Sequence, residues 1–307
     1  MTSTLMQRRR SREPEDQSRT LVSPHDLKNP ANRVMVRIVH VAVIAGIVVA
    51  GAGPLIWLAF ASLNTTQEVL RNPFAVWLHA DEWGNYADAF GLVDIGHYLL
   101  NTVFVAAGAC LVNLVVACTG AYVIAILRPK WGGILSGAIL ATLFLPGIVS
   151  LVPLYLTVLD FPPFGWNLQN TFWAVWLPAG ANAFSVLIMV GFFRAMPREL
   201  IEAARIDGAG NLRLLWSIVL PLSRPILGVT ALLAIIAAWK DYLWPSLVLS
   251  NSAVQPISVA LPIVGKITDL SVFLAALFVA TIIPVALFML FQKQILAGVG
   301  MTSGLKD

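Results

Sequence analysis

The stretch from Met196 to Pro225, MPRELIEAARIDGAGNLRLLWSIVLPLSRP, is a charge-rich knob between two runs, 171–193 and 226–249, that are apolar enough to sit in lipid. Pro197 suits the first turn of a helix, where no hydrogen bond is asked of its nitrogen, and Glu199 favours the positive N-terminal end. Leu200, Ile201, Ala203 and Ala204 form an apolar face opposite Arg198, Glu202 and Arg205. Gly208 stands where a C-terminal glycine takes the left-handed conformation, and Gly210 with Asn211 supplies a second turn and an N-cap. A second helix is expected from Leu212 to about Leu220, stopped by Pro221, with Ser223 and Pro225 opening the next span. Helices this short are marginal alone in water, so the hairpin needs a surface to pack on. Two readings stand: an amphipathic loop lying on a membrane, or a docking element. In the second, Ala203, Ala204, Gly208 and Ala209 let another protein approach closely, and Glu202 and Asp207 face cationic partners.

The flanking runs set the class. Of 307 residues, 58% are hydrophobic and only 12% charged, and mean hydropathy is +0.80, whereas soluble domains are roughly 45–50% apolar and about 25% charged. The chain reads as an all-α, polytopic membrane protein with six transmembrane helices. Apolar segments lie near 36–63, 98–127, 133–159, 170–194, 223–250 and 271–292, each reaching the roughly 20 residues that cross about 30 Å of hydrocarbon. Residues 1–33, with Arg8, Arg9, Arg10, Arg12 and Arg19 among Ser, Glu, Gln and Pro, are expected to be a disordered cytoplasmic tail. The membrane domain is then 34–307, with the knob as the loop 196–222. The first apolar run is too long for a cleavable signal, whose apolar core is roughly 7–15 residues. Pro54, Pro146, Pro153, Pro178 and Pro284 interrupt the segments and predict kinks. Cys110 and Cys118, about 12 Å apart on one helix, cannot bridge.

Charge sets the sidedness. Seventeen of the 20 Lys and Arg fall in the N-terminal tail to Arg37, at Arg128 and Lys130, in or beside the knob, and at Lys293 and Lys306. The opposite side has Arg71 and Lys266 but also Glu68, Asp81, Glu82, Asp88, Asp94, Asp160 and Asp269. The positive-inside rule places both termini and the knob in the cytoplasm. The net charge of +4 follows membrane sides and is not interleaved with aromatics on a polar domain, so no nucleic-acid partner is expected. In the long outer loop, Trp77, Trp83 and Tyr86 are either an interfacial aromatic belt or a docking surface.

No G-x-x-x-x-G-K-[ST] occurs, and His25, His40, His79 and His97 lack metal-ligand spacing. No catalytic residue, metal site or cofactor of the chain's own is expected. Lys240 and Asp241 stand out, because an ionisable group in mid-bilayer costs about 2.5–3.5 kcal/mol on insertion scales. They either snorkel beside Trp239, Tyr242 and Trp244 or belong to the outer half of a polar pathway through the membrane. Asn101, Asn113, Asn182 and Ser185 fit either that pathway or hydrogen bonds between helices.

Glu202-Ala203-Ala204, Asp207-Gly208-Ala209 and Ile218-Val219-Leu220-Pro221 together resemble the EAA loop of ABC importer permeases. The similarity extends over spans two to six, with Asn85-Tyr86, Asn101-Thr102 and the segment from Trp239 to Pro245 similar to the carbohydrate-uptake branch, most closely the smaller permease of maltose-type importers. Lys240 and Tyr242 depart from that branch's usual pattern. The resemblance implies a type I ABC importer permease fold and a bacterial or archaeal cytoplasmic-membrane location. It also implies a second homologous permease, separate ATPase subunits holding ATP and Mg, an extracytoplasmic solute-binding protein and a sugar or oligosaccharide substrate. Glu202, Ala203, Ala204, Asp207, Gly208, Ala209 and Pro221 would then couple to the ATPase. Asn101, Asn113, Trp239, Lys240, Asp241, Tyr242 and Trp244 would be candidates for the pathway. An ion-gradient transporter using Lys240 and Asp241, or a membrane scaffold without transport, are the competing functions.

Overall fold

The computed structural model describes residues 30–77 and 80–303, which fold as helices with no β-strand among them. The chain forms two compact units divided between Trp57 and Leu58. The first holds most of α1 (Pro30–Ala61), a helix with Pro54 inside it. Val34, Ile38, Val41 and Ile47 along it are exposed, as suits a helix solvated by lipid, where all backbone groups must be satisfied internally. Residues 30–33, read from the sequence as tail, are thus helical, because Pro30 is pre-set for a first turn; residues 1–29 of that tail lie outside the described residues.

The second unit opens with two short helices. α2 (Thr66–Arg71) carries a capping box between Thr65 and Glu68, and α3 (Gly84–Gly91) packs Ala89 against Ala275 and Ala276. Asn64 and Asn85 stitch this segment together by donating to the carbonyls of Phe60, Val76, Ser62 and Asn64 itself. Tyr86 bonds Ser62 at 2.6 Å, while Trp77 and Trp83 remain exposed.

The central element is α4 (Ile95–Tyr122), prolonged by a π-helical turn to Leu127. Its buried residues Asn101, Val105, Ala109, Asn113, Ala117 and Ala121 recur at helical spacing. After it come α5 (Gly132–Thr142), α6 (Gly147–Leu159), α7 (Trp173–Gly180) and α8 (Ala183–Arg194). Packing of α4 against α7 is close because small residues face large ones. A Cβ added to Gly108 would fall inside the Trp176 ring, and one added to Gly180 would meet Val112 and Val116 at 2.9 and 3.0 Å. The chain then forms α9 (Arg198–Ile206), α10 (Asn211–Leu214), a π-helical turn at Leu215–Val219, α11 (Leu220–Leu222) and α12 (Arg224–Lys240). α13 (Leu243–Val248), α14 (Ile257–Ile267) and α15 (Leu270–Ser303) complete it.

Among the described residues, three continuous stretches are long and apolar enough to cross a membrane: Pro30–Ala61, Ile95–Leu127 and Leu270–Gln292. Three bent pairs bring the number to six if each pair is one span: α5 with α6 at 105°, α7 with α8 at 43°, and Asn211–Leu222 with α12 at 80°. The segment expected as one helix over 223–250 stops at Lys240; Asp241 takes an extended conformation and α13 starts afresh. Gly108→Ala should therefore destabilise the bundle by about 1–3 kcal/mol through overpacking, lowering its unfolding temperature in detergent. Gly120→Ala, whose added Cβ would meet only Val186 at 3.6 Å, should leave that temperature unchanged.

Candidate functional site

Two places carry the residues singled out by sequence. The first is the hairpin of α9 and α10. Asn182 caps α8 by accepting from the Ser185 amide at 2.9 Å, and α8 runs to Arg194. Pro197, with ψ of 124°, is the cap preceding α9 and not a residue of its first turn. α9 closes in a Schellman motif: the Ala209 amide donates to the Ala204 carbonyl at 2.9 Å and the Gly208 amide to Arg205 at 3.0 Å. The motif requires a left-handed residue, and Gly208 supplies it with φ of +79°.

The N-cap expected at Asn211 falls on Gly210, since Asn211 is already helical. Its carbonyl accepts a hydrogen bond from the Tyr122 hydroxyl at 2.9 Å. The helical run also continues past the expected stop, with Pro221 inside α11. A proline near the start of a turn lacks only a donor that the turn can do without.

Of the small residues expected to admit a partner, Ala203 and Gly208 are exposed. Ala204 and Ala209 instead turn toward the chain's own core, where Ala204, Leu214, Leu215 and Val219 pack with Tyr122, Phe193 and Met196. Glu202 and Asp207 are exposed on the outer face. With them stand two large apolar residues that the sequence reading did not single out, Ile206 at 86% and Leu212 at 75% exposure. Pro221 is exposed but lies on α11, away from the turn in sequence. Only the alternation of Ile206 with Ala204 on a helix could have flagged that second face.

The second place is a cavity of about 660 Å³ bounded by α4, the α7–α8 break and the α12–α13 break. Asn113, Lys240, Asp241, Tyr242 and Trp244 line it, joined by Asn182. The breaks put irregular backbone beside it, which membranes tolerate only where protein or a polar space satisfies the freed groups. Asn113 donates to the Ala179 carbonyl at 2.9 Å at the end of α7, while its own Oδ1 is buried without a partner among the described residues. Asp241 accepts from the Trp244 amide and, through its carbonyl, from Ser258 at 2.7 Å. Trp244 is fixed by donating to the Ala174 carbonyl at 2.9 Å, and Tyr242 is half exposed.

The two other pathway candidates are elsewhere. Trp239 is buried and donates to the Ala280 carbonyl at 3.2 Å, tying α12 to α15. Asn101 donates to the carbonyls of Ala253 and Gln255 at 3.1 and 3.0 Å, and Thr102 receives the Ile257 amide, so this pair holds the loop before α14. Because α12 ends at Lys240, Lys240 and Asp241 do not follow one another on a helix as expected.

A bundle of bent helices around a cavity with polar residues in its wall, with a helical hairpin seated at one end of its central helix, has the construction of a membrane permease. The chain belongs to the family of binding-protein-dependent transport system inner membrane components, whose model matches residues 116–299. It is 30% identical over 262 residues to the sulfoquinovosyl glycerol transport system permease protein SmoH of Agrobacterium fabrum, covering 84% of this chain and 90% of that relative. It is 29% identical over 279 residues to the sn-glycerol-3-phosphate transport system permease protein UgpE of the same organism, covering 87% and 97%. Its fold matches a chain in the crystal structure of a bacterial ABC transporter involved in the import of the acidic polysaccharide alginate, with a TM-score of 0.75 and 21% identity over 86% of this chain and 98% of that one. The chain is thus a multi-pass transport component of the inner-membrane type.

Tyr122→Phe should lose the bond to the Asn211 carbonyl at a cost of about 1 kcal/mol. Hydrogen exchange of amides 204–215 should then speed roughly fivefold, while amides of α4 near Asn113 keep their protection.

Proposed function

We propose that this chain is the membrane-spanning permease subunit of an ATP-driven importer for a carbohydrate-type solute. It forms half of the pathway with a second homologous permease, and separate ATPase subunits on the cytoplasmic side hold ATP and Mg. A solute-binding protein delivers the solute from outside. The observation that carries the reading is the hairpin, whose inner face is locked to its own core while Glu202, Ala203, Ile206, Asp207, Gly208 and Leu212 face outward. A rigid, amphipathic outer face suits a docking element. The absence of a phosphate-binding glycine loop from the sequence agrees with hydrolysis by another chain.

In this mechanism, closure of the ATPases displaces the hairpin as one body. Tyr122 links the hairpin to α4, and α4 carries Asn113 at the cavity roughly 13 Å away, at about 1.5 Å per residue. Displacement of α4 then shifts the cavity wall. The push does work only because the hairpin seats differently on the ATPase in the two conformations; equal seating would shift no population. The cavity lies within the roughly 300–1,000 Å³ of small-molecule sites. Asn113, Asn182, Lys240 and Asp241 offer hydrogen bonds to hydroxyl groups, and Tyr242 and Trp244 offer apolar ring faces. The named solutes of the relatives, a glycoside and a polyol phosphate, support a polyhydroxylated substrate. The basic residues around the hairpin and termini support a cytoplasmic orientation for both.

Gly208→Val places a β-branched residue at positive φ, a strain of about 1–3 kcal/mol, with open space beyond its Cβ. Uptake and solute-stimulated ATP hydrolysis in liposomes should both be lost, while the chain stays in the membrane. Wild-type uptake by this variant with the ATPase attached would overturn the coupling role. Uptake driven by an ion gradient without ATP would overturn the importer reading.

A further inference from the structure

A second polar cavity, of about 460 Å³, lies between the turn after α4 and the corner joining α8 to α9. Arg128, Arg194 and Arg198 line it, and no acidic residue does. A smaller cavity of about 140 Å³ shares Arg128 and Arg198 and adds Arg205 and Glu202. Between them the two neighbouring cavities are lined by four arginines from three segments and by one carboxylate, Glu202, which lines only the smaller. Arg128 is pinned: it sits at φ of +49°, sparsely populated for a residue with a Cβ, and its Nε donates to the Ala125 carbonyl at 2.8 Å. Gly132 and Gly133 form part of the wall, so no side chain of α5 fills the space there.

The cavity also lies where hydrocarbon should end. Arg128 caps the apolar run Ile95–Leu127, and Arg194 ends α8. Leu127, Trp131 and Ile134, which flank the lining residues Arg128, Gly132 and Gly133 in sequence, are exposed at 37%, 54% and 79%. A soluble anion has no use for that apolar border, and an acidic protein surface would leave it facing water. An occupant with an anionic head and apolar tails satisfies both parts, and basic pockets between membrane helices bind such headgroups.

We propose that this cavity binds the phosphate headgroup of an anionic phospholipid, with Arg128 and Arg194 on the phosphate, Arg198 closing the side toward α9, and the acyl chains along Leu127 and Ile134. The site rests on the chain spanning a membrane and not on what it transports. Because Arg198 opens α9, a bound lipid would fix the base of the hairpin.

The test is native mass spectrometry of the intact complex purified from its membrane, titrated with phosphatidylglycerol and, separately, phosphatidylcholine. Each juxtamembrane cation adds roughly fivefold to anionic-lipid binding. The double variant R128Q/R194Q should weaken the first phosphatidylglycerol by about 25-fold and leave phosphatidylcholine unchanged; R128K/R194K, which keeps the charge, should retain most of the preference and show that the fold survives. Equal loss for both lipids, or none for either, overturns the proposal. So does loss of the phosphatidylglycerol preference when inorganic phosphate replaces chloride at equal ionic strength, which would make the ligand a free anion. A preference seen only after the ATPase is stripped away would make the surface an ATPase contact and would overturn the proposal too.

Discussion

The seat of the hairpin on α4, made by the hydrogen bond from Tyr122 to the Asn211 carbonyl together with the burial of Ala204, Leu214, Leu215 and Val219 against Phe193 and Met196, is the joint on which the coupling account depends. Without that seat the hairpin is two helices too short to hold in water. With it, the hairpin becomes an extension of the longest buried helix, and its exposed face is held in one orientation. The Schellman closure at Gly208 keeps the corner sharp, so that Ala204 points into the core while Ile206, two residues on, points out of it. Small residues serve two ends here: Ala204 permits close seating on this chain, and Ala203 with Gly208 leaves the outer face low.

The cavity follows from a different constraint. Backbone groups within a bilayer must find partners inside the protein, so each helix break is informative. The α7 break presents the Ala179 carbonyl, which Asn113 satisfies; the α12 break frees backbone that Ser258 and the Asp241 carboxylate tie down. Both breaks border one space. The loop before α14 is held independently by Asn101 and Thr102, and α15 by Trp239, so those polar residues stabilise the frame around the cavity instead of lining it.

The class of the fold was legible because composition and the length of apolar runs are properties of the whole chain. The hairpin was legible because caps and glycines act locally: Gly208 at positive φ needs only its own neighbours. The interruption of the fifth segment at Lys240 was not, since Trp239, Tyr242 and Trp244 read equally well as a continuing helix and as an unwound turn, and tertiary bonds to Ala280 and Ala174 decide between them. For the same reason, Asn101 and Asn113 look alike in sequence although one binds a loop and the other faces the cavity. The exposed Ile206 and Leu212 escaped notice because apolar residues in a short amphipathic helix are assigned to the core by default, and only the position of Ala204 shows the helix to have two apolar sides.

The most direct test of the coupling claim is a photo-crosslinking amino acid placed at Ile206, on the outer face, and in parallel at the buried Leu214. The coupling mechanism predicts an ATPase adduct from position 206 and none from 214, with a yield that changes when the complex is trapped with nucleotide. No adduct at 206, or a yield indifferent to nucleotide, would contradict it.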